Sequence, residues 1–373
     1  MRILIDASNH TMYPIGSDGF TSGTVLMVRN IAAGLAERGH TVHVITNDLQ
    51  VEDQRGPTLW YWPPNVHPLA GDVAVQLMHV NPQPEYDADI LLLMTFGIDP
   101  YLGPDHQWGQ QVDGFPVLSA KHGELLRKAR PTVREDKCFV TGLGVSLMDY
   151  HDQRYMAAMV HGEDHDIKVP GRMLYANDPT RGLPALLDIF DKVKEQVPEA
   201  SLHIAYDFDG NLERVKWEHS YRAQMLLDCK KRIDSTPGIV NLGTVDRATI
   251  IREQLECQVH CMPSNADKDQ LHGLTQLECA AAGCALVLSD VAAFPEVFGE
   301  GATILPQVGK YMPELERRID AGDWAQIVIE LIKDETVWQT ASQKARTLAE
   351  KHTWPAVIDR WEEMLKELGG RVG

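Results

Sequence analysis

What the sequence lacks narrows its class before anything it contains. No run approaches the roughly 20 consecutive apolar residues of a membrane-spanning helix, so no transmembrane segment is expected in these 373 residues. Basic charge is scarce: 35 Lys and Arg against 53 Asp and Glu leave a formal charge of −18. That balance repels nucleic-acid phosphates and anionic headgroups unless a local patch overrides it. The cationic run Lys121 to Arg134 sits at helical spacing and reads as a solvated face. Cysteine is sparse, six residues in all, several of them in apolar segments where a reduced thiol behaves as a small hydrophobe. Cys257-Gln258-Val259-His260-Cys261 lacks the second ligand pair that a zinc finger needs, and its alternation suits a buried strand. No metal is expected. The opening stretch Met1 to His10 carries no cationic leader or apolar signal core and begins as a strand, which makes the cytoplasm the expected compartment.

What is present is an ordinary globular composition in a chain longer than one hydrophobic core usually serves, so two domains are expected. Arg2 to Ser8 reads as a strand, Ser22 to His40 as a helix and Thr41 to Asp48 as a second strand, together a βαβ unit with parallel strands. Further strands are expected at Asp89 to Phe96, Phe115 to Ala120 and Cys138 to Val145, with a helix at Lys121 to Ala129. Leu59 to Pro84 is rich in Trp, Pro and His and gives no clean period, which predicts loop and short strand. The pattern changes across Asp149 to Pro170, then cycles again through strand and helix, including one charged helix running to about Arg232. The expected organisation is a Rossmann-like domain at 1–168, a second at 169–350, and a terminal helix at 351–373 returning toward the first. Pro355 marks a helix boundary or kink in that last segment.

Ligands of open α/β sheets sit outside the carboxyl ends of the strands, and three segments bring small or polar residues there. Asn9 to Thr24 contains Gly16, Gly19 and Gly23; spaced glycines ahead of a helix let backbone N–H groups approach an anion, although glycines also serve turning alone. In Tyr175 to Leu187, Asn177 and Asp178-Pro179 precede Arg181-Gly182 at a helix start. A guanidinium there suits a diphosphate, and a surface arginine at a turn is the alternative. In Asp269 to Asp290, His272-Gly273-Leu274-Thr275 opens a helix whose apolar face is Leu274, Leu277 and Ala281. Glu278 follows Leu274 by one turn, where a carboxylate could accept both hydroxyls of a ribose; a salt bridge inside the sheet–helix packing is the alternative.

In this order the segments resemble GT-B glycosyltransferases, specifically the retaining glycosyltransferase family 4. Gln270 to Leu305, "QLHGLTQLECAAAGCALVLSDVAAFPEVFGEGATIL", is similar to that family's E-x7-E segment with its small-residue helix and the following strand. "LAERGHTVHVIT", "LYANDPTRGLPALLDIF", "LGTVDRATIIREQLECQVHCMPS" and "HTWPAVIDRWEEML" add to the resemblance, which covers nearly all of the second domain and the first more loosely. It implies an α/β protein of GT-B architecture, two Rossmann-like doubly wound domains facing a central cleft that closes on donor and acceptor. It implies a hexosyl or pentosyl transfer with retention, independent of metal and of any cofactor, from a UDP- or GDP-sugar. Glu278 matches the second glutamate, implied to hold the donor ribose, and Gln270 stands where the first would lie. Arg181 matches the phosphate-binding lysine, whereas Ala176 replaces the arginine expected five positions earlier.

The implied catalytic residues are therefore Arg181, Gln270 and Glu278. The implied donor-binding residues are Gly16, Gly19, Asn177, Arg181, His272, Gly273, Leu274, Thr275 and Glu278. Thr95 stands where the family's first-domain histidine would be sought, and His122 is a candidate for it. The acceptor is open among metabolite, glycan, lipid and protein, with DNA disfavoured by the net charge. Two rivals remain: a GT-B-like nucleotide-sugar epimerase using Asn9 and His10, and a non-catalytic nucleotide-sugar-binding protein in which Gln270 and Ala176 mark lost function. The paired carboxylates of a glycosidase are not evident.

Overall fold

A computed structural model gives the structure over residues 1–8, 22–47, 53–63, 70–77, 87–98, 112–151, 167–215, 220–265, 270–310 and 318–372. The described residues form two compact units, one holding those up to Gly144 together with 352–372, the other holding those within Val145–Lys351.

The first unit is built around β1 (Arg2–Ala7), whose last five residues are all buried because strands flank it on both sides and helices cover the sheet. Its partners are β2 (Thr41–Thr46), β3 (Asp53–Gln54), β4 (Leu59–Trp62), β5 (Ala70–Leu77) and β6 (Asp87–Met94), in the order β3-β4-β2-β1-β5-β6. Every pairing is parallel except β3 on β4. A bridge from Leu92 to Gly114 leads on to the parallel pair β7 (Phe115–Val117) and β8 (Cys138–Val140). One sheet face contributes Leu4, Ala74, Leu91 and Leu93 to a core with Phe115, Val117, Leu126 and Val133. The terminal helix Trp354–Val372 packs on the helix Gly23–Glu37, where Gly34 gives Ile358 the room that a side chain would fill. Arg38 pairs with Asp359, and His40 Nε2 lies 2.6 Å from Glu362 Oε1. Pro355 is the second residue of this helix, a boundary position where its missing N–H costs nothing.

The strand β5 corrects the expectation of loop and short strand in this stretch. It is a full inner strand, and it escapes a periodicity reading because its last five residues are buried in succession, without the alternation of a half-buried strand.

The second unit carries a six-stranded, wholly parallel sheet of β9 (Arg172–Tyr175), β10 (Ser201–Ile204), β11 (Ile239–Asn241), β12 (Val259–Met262), β13 (Ala285–Ser289) and β14 (Thr303–Leu305). Their order is β11-β10-β9-β12-β13-β14, so the winding reverses between β9 and β12. The charged helix expected to run to about Arg232 is two helices, Phe208–Val215 and Tyr221–Ser235, the second started by Ser220 as its N-cap. All six cysteines are free thiols.

Candidate functional site

The reversal between β9 and β12 opens a position that doubly wound sheets use for ligands, and the local sequence prepares both sides of it. After β9 the chain passes Ala176 and Asn177, then Asp178 starts a single 3-10 turn, Pro179–Arg181. Asp178 Oδ1 accepts from the backbone N–H of Thr180 at 2.9 Å, and Oδ2 accepts from Arg222 Nη2 at 2.8 Å. Burial works to raise the Asp178 pKa, but the hydrogen bonds from Arg222 and Thr180 outweigh it and hold the carboxylate below its ordinary value. Asp178 is thus committed to Arg222, whereas half-buried Arg181 forms no side-chain hydrogen bond or ion pair with a described residue.

Gly182 follows at φ 114°, in the left-handed region, with its Cα against the carbonyl of Pro263 just beyond β12. A side chain would be strained by the backbone and would strike that carbonyl, so only glycine lets the helix Leu183–Gln196 start this close to the neighbouring strand. On the other side Gly273 sits at φ 142° and starts the helix Leu274–Ala282. Thr275 Oγ1 donates to the carbonyl of Ala176 at 3.3 Å, tying the two loops together.

Neither of these helices has a side-chain cap. Five other helices are capped by side-chain oxygens, Ser22, Ser119, Ser220, Asp246 and Asp320 each accepting from a first-turn N–H, while the five-residue helix Phe294–Phe298 is uncapped as well. Two N-terminal helix ends beside the reversal therefore keep N–H groups that no capping side chain occupies, and Arg181 directly precedes the first of them. Two buried amide atoms, Asn177 Nδ2 and Asn265 Oδ1, also lack a hydrogen-bond partner. Buried polar atoms without partners cost free energy, and these two lie just past the ends of β9 and β12. The arrangement can bind an anionic group.

Glu278 lies one turn further into the helix and is 6% exposed. Its Oε1 accepts from Arg247 Nη1 at 2.5 Å and its Oε2 from Gln254 Nε2 at 2.9 Å. Arg247 also reaches Asp149 Oδ2 at 3.2 Å, and the buried Tyr150 hydroxyl donates to Gln254 Oε1 at 2.8 Å. Burial works to lower the Arg247 pKa, but the carboxylate of Glu278 prevails and raises it. The ion pair inside the packing, the alternative weighed for Glu278 from the sequence, does form. Each carboxylate oxygen still has a second lone pair.

Gln270 is 3% exposed and donates through Nε2 to Ser264 Oγ at 3.1 Å. His272 is buried, edge-on to Phe298 with ring centroids 6.4 Å apart. Leu274 and Thr275 are half-buried at the helix start. Gly16 and Gly19 lie outside the described residues, as do Asn9 and His10.

In the first unit, His122 is fully buried. Its Nδ1 accepts from the Leu118 N–H at 3.1 Å, which leaves the proton on Nε2 to be donated to Thr95 Oγ1 at 3.1 Å. Burial pushes its pKa down to about 4. A neutral imidazole with both nitrogens engaged ties Thr95, just past β6, to Leu118, just past β7.

Residues that sequence reasoning missed are Arg247, Gln254, Tyr150 and Asn265. Asn265 had a usable signal, a small polar cluster directly after an apolar strand; the other three announce nothing locally. Among the described residues no group of three or more His, Cys, Asp or Glu side chains is placed to hold a metal, and no helix is long and apolar enough to cross a membrane.

No family model matches the chain. Its backbone superposes on sucrose-phosphate synthase from Thermosynechococcus elongatus with a TM-score of 0.70, at 13% identity and over 100% of both chains. HepE of Anabaena, solved with UDP and glucose, gives 0.66 at 13% identity over 98% of this chain and 100% of that one. WaaG, a glycosyltransferase involved in lipopolysaccharide biosynthesis, gives 0.64 at 12% identity, covering 97% and 99%.

The chain has the GT-B glycosyltransferase fold.

Among curated proteins, the phosphatidyl-myo-inositol mannosyltransferases of Mycobacterium tuberculosis and Mycobacterium bovis are 22% identical to this GT-B chain over 194 residues. That match spans 52% of this chain and 46% of the relatives, under half their length.

Proposed function

We propose that this chain is a retaining glycosyltransferase that moves a hexosyl or pentosyl group from a nucleotide-diphosphate sugar to an acceptor hydroxyl. The observation that carries the reading is the pair of uncapped helix starts at Gly182 and Gly273, beside an Arg181 with no partner among the described residues. Fixed N–H donors and a guanidinium are best used on charge that grows as a diphosphate departs, so their contribution is to the transition state. The positive charge comes from the protein itself and calls for no metal ion or cofactor. A UDP-sugar donor is favoured over a GDP-sugar by HepE of Anabaena, whose structure holds UDP and glucose.

Asn177, His272, Gly273, Leu274 and Thr275 line the donor in this reading. Glu278, held by Arg247 and Gln254, turns its remaining lone pairs to the ribose. Gln270, held through Nε2 by Ser264, meets sugar hydroxyls with its carbonyl. Its neutral amide, and Ala176 in place of a second cation, favour one other reading, a protein that binds nucleotide sugars without turning them over.

The test is nucleotide release from UDP-glucose, GDP-mannose and related donors across a panel of sugar, polyol and lipid acceptors. Release from one donor class is expected, with kcat falling about 100-fold in Arg181→Ala. Nucleotide binding without release by any acceptor supports the binding protein, and no nucleotide binding at all contradicts both readings.

A further inference from the structure

The second unit buries three thiols and an amine together, and none of the four belongs to the site described above. Cys257, Cys279 and Cys284 are each 0% exposed, and Lys168 is 8% exposed. Lys168 Nζ lies 3.7 Å from Cys284 Sγ and donates to the carbonyl of Cys257 at 2.6 Å. Cys284 Sγ donates to the carbonyl of Gln254 at 3.3 Å, and hydrogen bonding joins its thiol to those of Cys257 and Cys279.

The end of the helix Leu274–Ala282 sets two of these sulfurs against each other. Gly283 takes φ 81° and its N–H reaches the carbonyl of Ala280, while the N–H of Cys284 reaches the carbonyl of Cys279 at 2.9 Å. In a helix end closed this way, the residue after the glycine packs on the residue five positions earlier, commonly through apolar side chains. Here that contact is sulfur on sulfur. Burial works to raise the Cys284 pKa, but hydrogen bonds from Cys257 and Cys279 and the charge of Lys168 outweigh it and hold the thiol well below its ordinary value. Cys279 is pushed up instead, by burial first and then by its bond to Cys284. One thiol of the pair is thus the readier nucleophile, and its neighbour stays protonated.

We propose that Cys279 and Cys284 are a redox modification site, closed to a disulfide by a peroxide, that controls how firmly Glu278 is held. The Cys284 thiolate attacks one oxygen of hydrogen peroxide and the O–O bond breaks. The other oxygen leaves as hydroxide and becomes water with the proton that Cys284 gave up, and the sulfur is left as a sulfenic acid. The Cys279 thiol then attacks that sulfur, the S–O bond breaks, and a second water leaves. The two thiols lose two electrons and the peroxide gains them. Because the sulfurs are buried, peroxide reaches them during local opening of this helix end.

Oxidation removes the S–H that the Gln254 carbonyl accepts, and Gln254 Nε2 is one of the donors that hold Glu278, at 2.9 Å. Glu278 also directly precedes Cys279, so the new bond pulls on it from both sides of the packing. That this lowers nucleotide affinity rests on the glycosyltransferase reading; the disulfide does not.

The experiment treats the full chain with excess hydrogen peroxide, alkylates the remaining thiols, digests with trypsin and measures peptide masses. Affinities for UDP and GDP are read by calorimetry before and after. Cys279 and Cys284 share the tryptic peptide 269–310, whereas Cys257 lies in 253–268, so the disulfide shows as a single peptide 269–310 that escapes alkylation. The expected result is that peptide, with an affinity for one nucleotide that falls about 10-fold and returns on treatment with dithiothreitol. Cys279→Ala and Cys284→Ala should each lack the disulfide and keep their affinity through the same treatment, which separates these thiols from methionine oxidation. A wild-type peptide 269–310 that stays alkylated, or a cross-link to 253–268, overturns the inference. A disulfide that leaves affinity unchanged, or an affinity loss shared by both variants, overturns it as well. If the reduced protein binds neither nucleotide, the glycosyltransferase reading fails, and the peptide masses still decide whether the modification site exists.

Discussion

The two compact units solve the same topological problem and finish it differently. In each, the first strand of the unit lies in the middle, the next strands run to one side and later ones to the other. In the second unit both helix starts beside the reversal begin at a glycine with positive φ and have no side-chain cap. In the first unit the helix after β1 is capped by Ser22, and the described polar side chains at the reversal include the Asp6 carboxylate and the Gln76 amide. One architecture thus presents uncapped helix starts in one unit and a capped helix start with a carboxylate and an amide in the other. The lesson is that the strand order locates a candidate site while the residues at the helix starts decide its charge, and this is the feature on which the proposed diphosphate site in the second unit rests.

The largest effect that would break this contrast is expected at Arg247. Replacing it by Met leaves the buried Glu278 carboxylate without its cation, and although Arg247 is partly exposed the loss should be about 3–4 kcal/mol in urea unfolding. A loss under about 1 kcal/mol would mean that Gln254 alone holds Glu278 and that the carboxylate is a poor candidate for a rigid ligand contact.

The next effect belongs to the first unit and is read through pH. His122 titrates at about 4 in the folded protein against an ordinary 6.5, so the unfolded chain binds the proton first. Its contribution to stability is complete above about pH 6.5, declines as pH falls toward 4, and amounts to ~3 kcal/mol across that window. His122→Asn should flatten the unfolding profile between those values; an unchanged slope would show that other groups carry it. The smallest effect sharpens the contrast directly. Ser22→Ala should cost about 1 kcal/mol, the usual worth of an N-cap, and a neutral result would make the first unit's helix end as open as those of the second.

Much of this was readable in the chain, and the unread part has a common cause. The glycines at 182 and 273, Arg181, and the spacing of Gln270 and Glu278 are local features, and the folded chain brings Ala176, Gly182, Gly273 and Thr275 to one edge of the sheet. The strand β5 was missed because a strand buried on both faces has no alternation to display. Arg247 was missed because its partner lies 31 residues further along, and the pairing depends on the packing of two helices that no window of sequence contains. His122 was legible as a residue of interest, but only the hydrogen bonds at both nitrogens reveal a structural imidazole.

The most direct test of the central claim is the discrimination between a nucleoside and its diphosphate. Calorimetric titration of the full chain with uridine and UDP, and with guanosine and GDP, should give one diphosphate bound at least about 100-fold more tightly than its nucleoside, an advantage near 2.7 kcal/mol. Arg181→Ala should cut that ratio to about 10 while leaving nucleoside affinity unchanged. Equal affinity for nucleoside and diphosphate, or a ratio indifferent to Arg181, would contradict the assignment of the uncapped helix starts to the diphosphate.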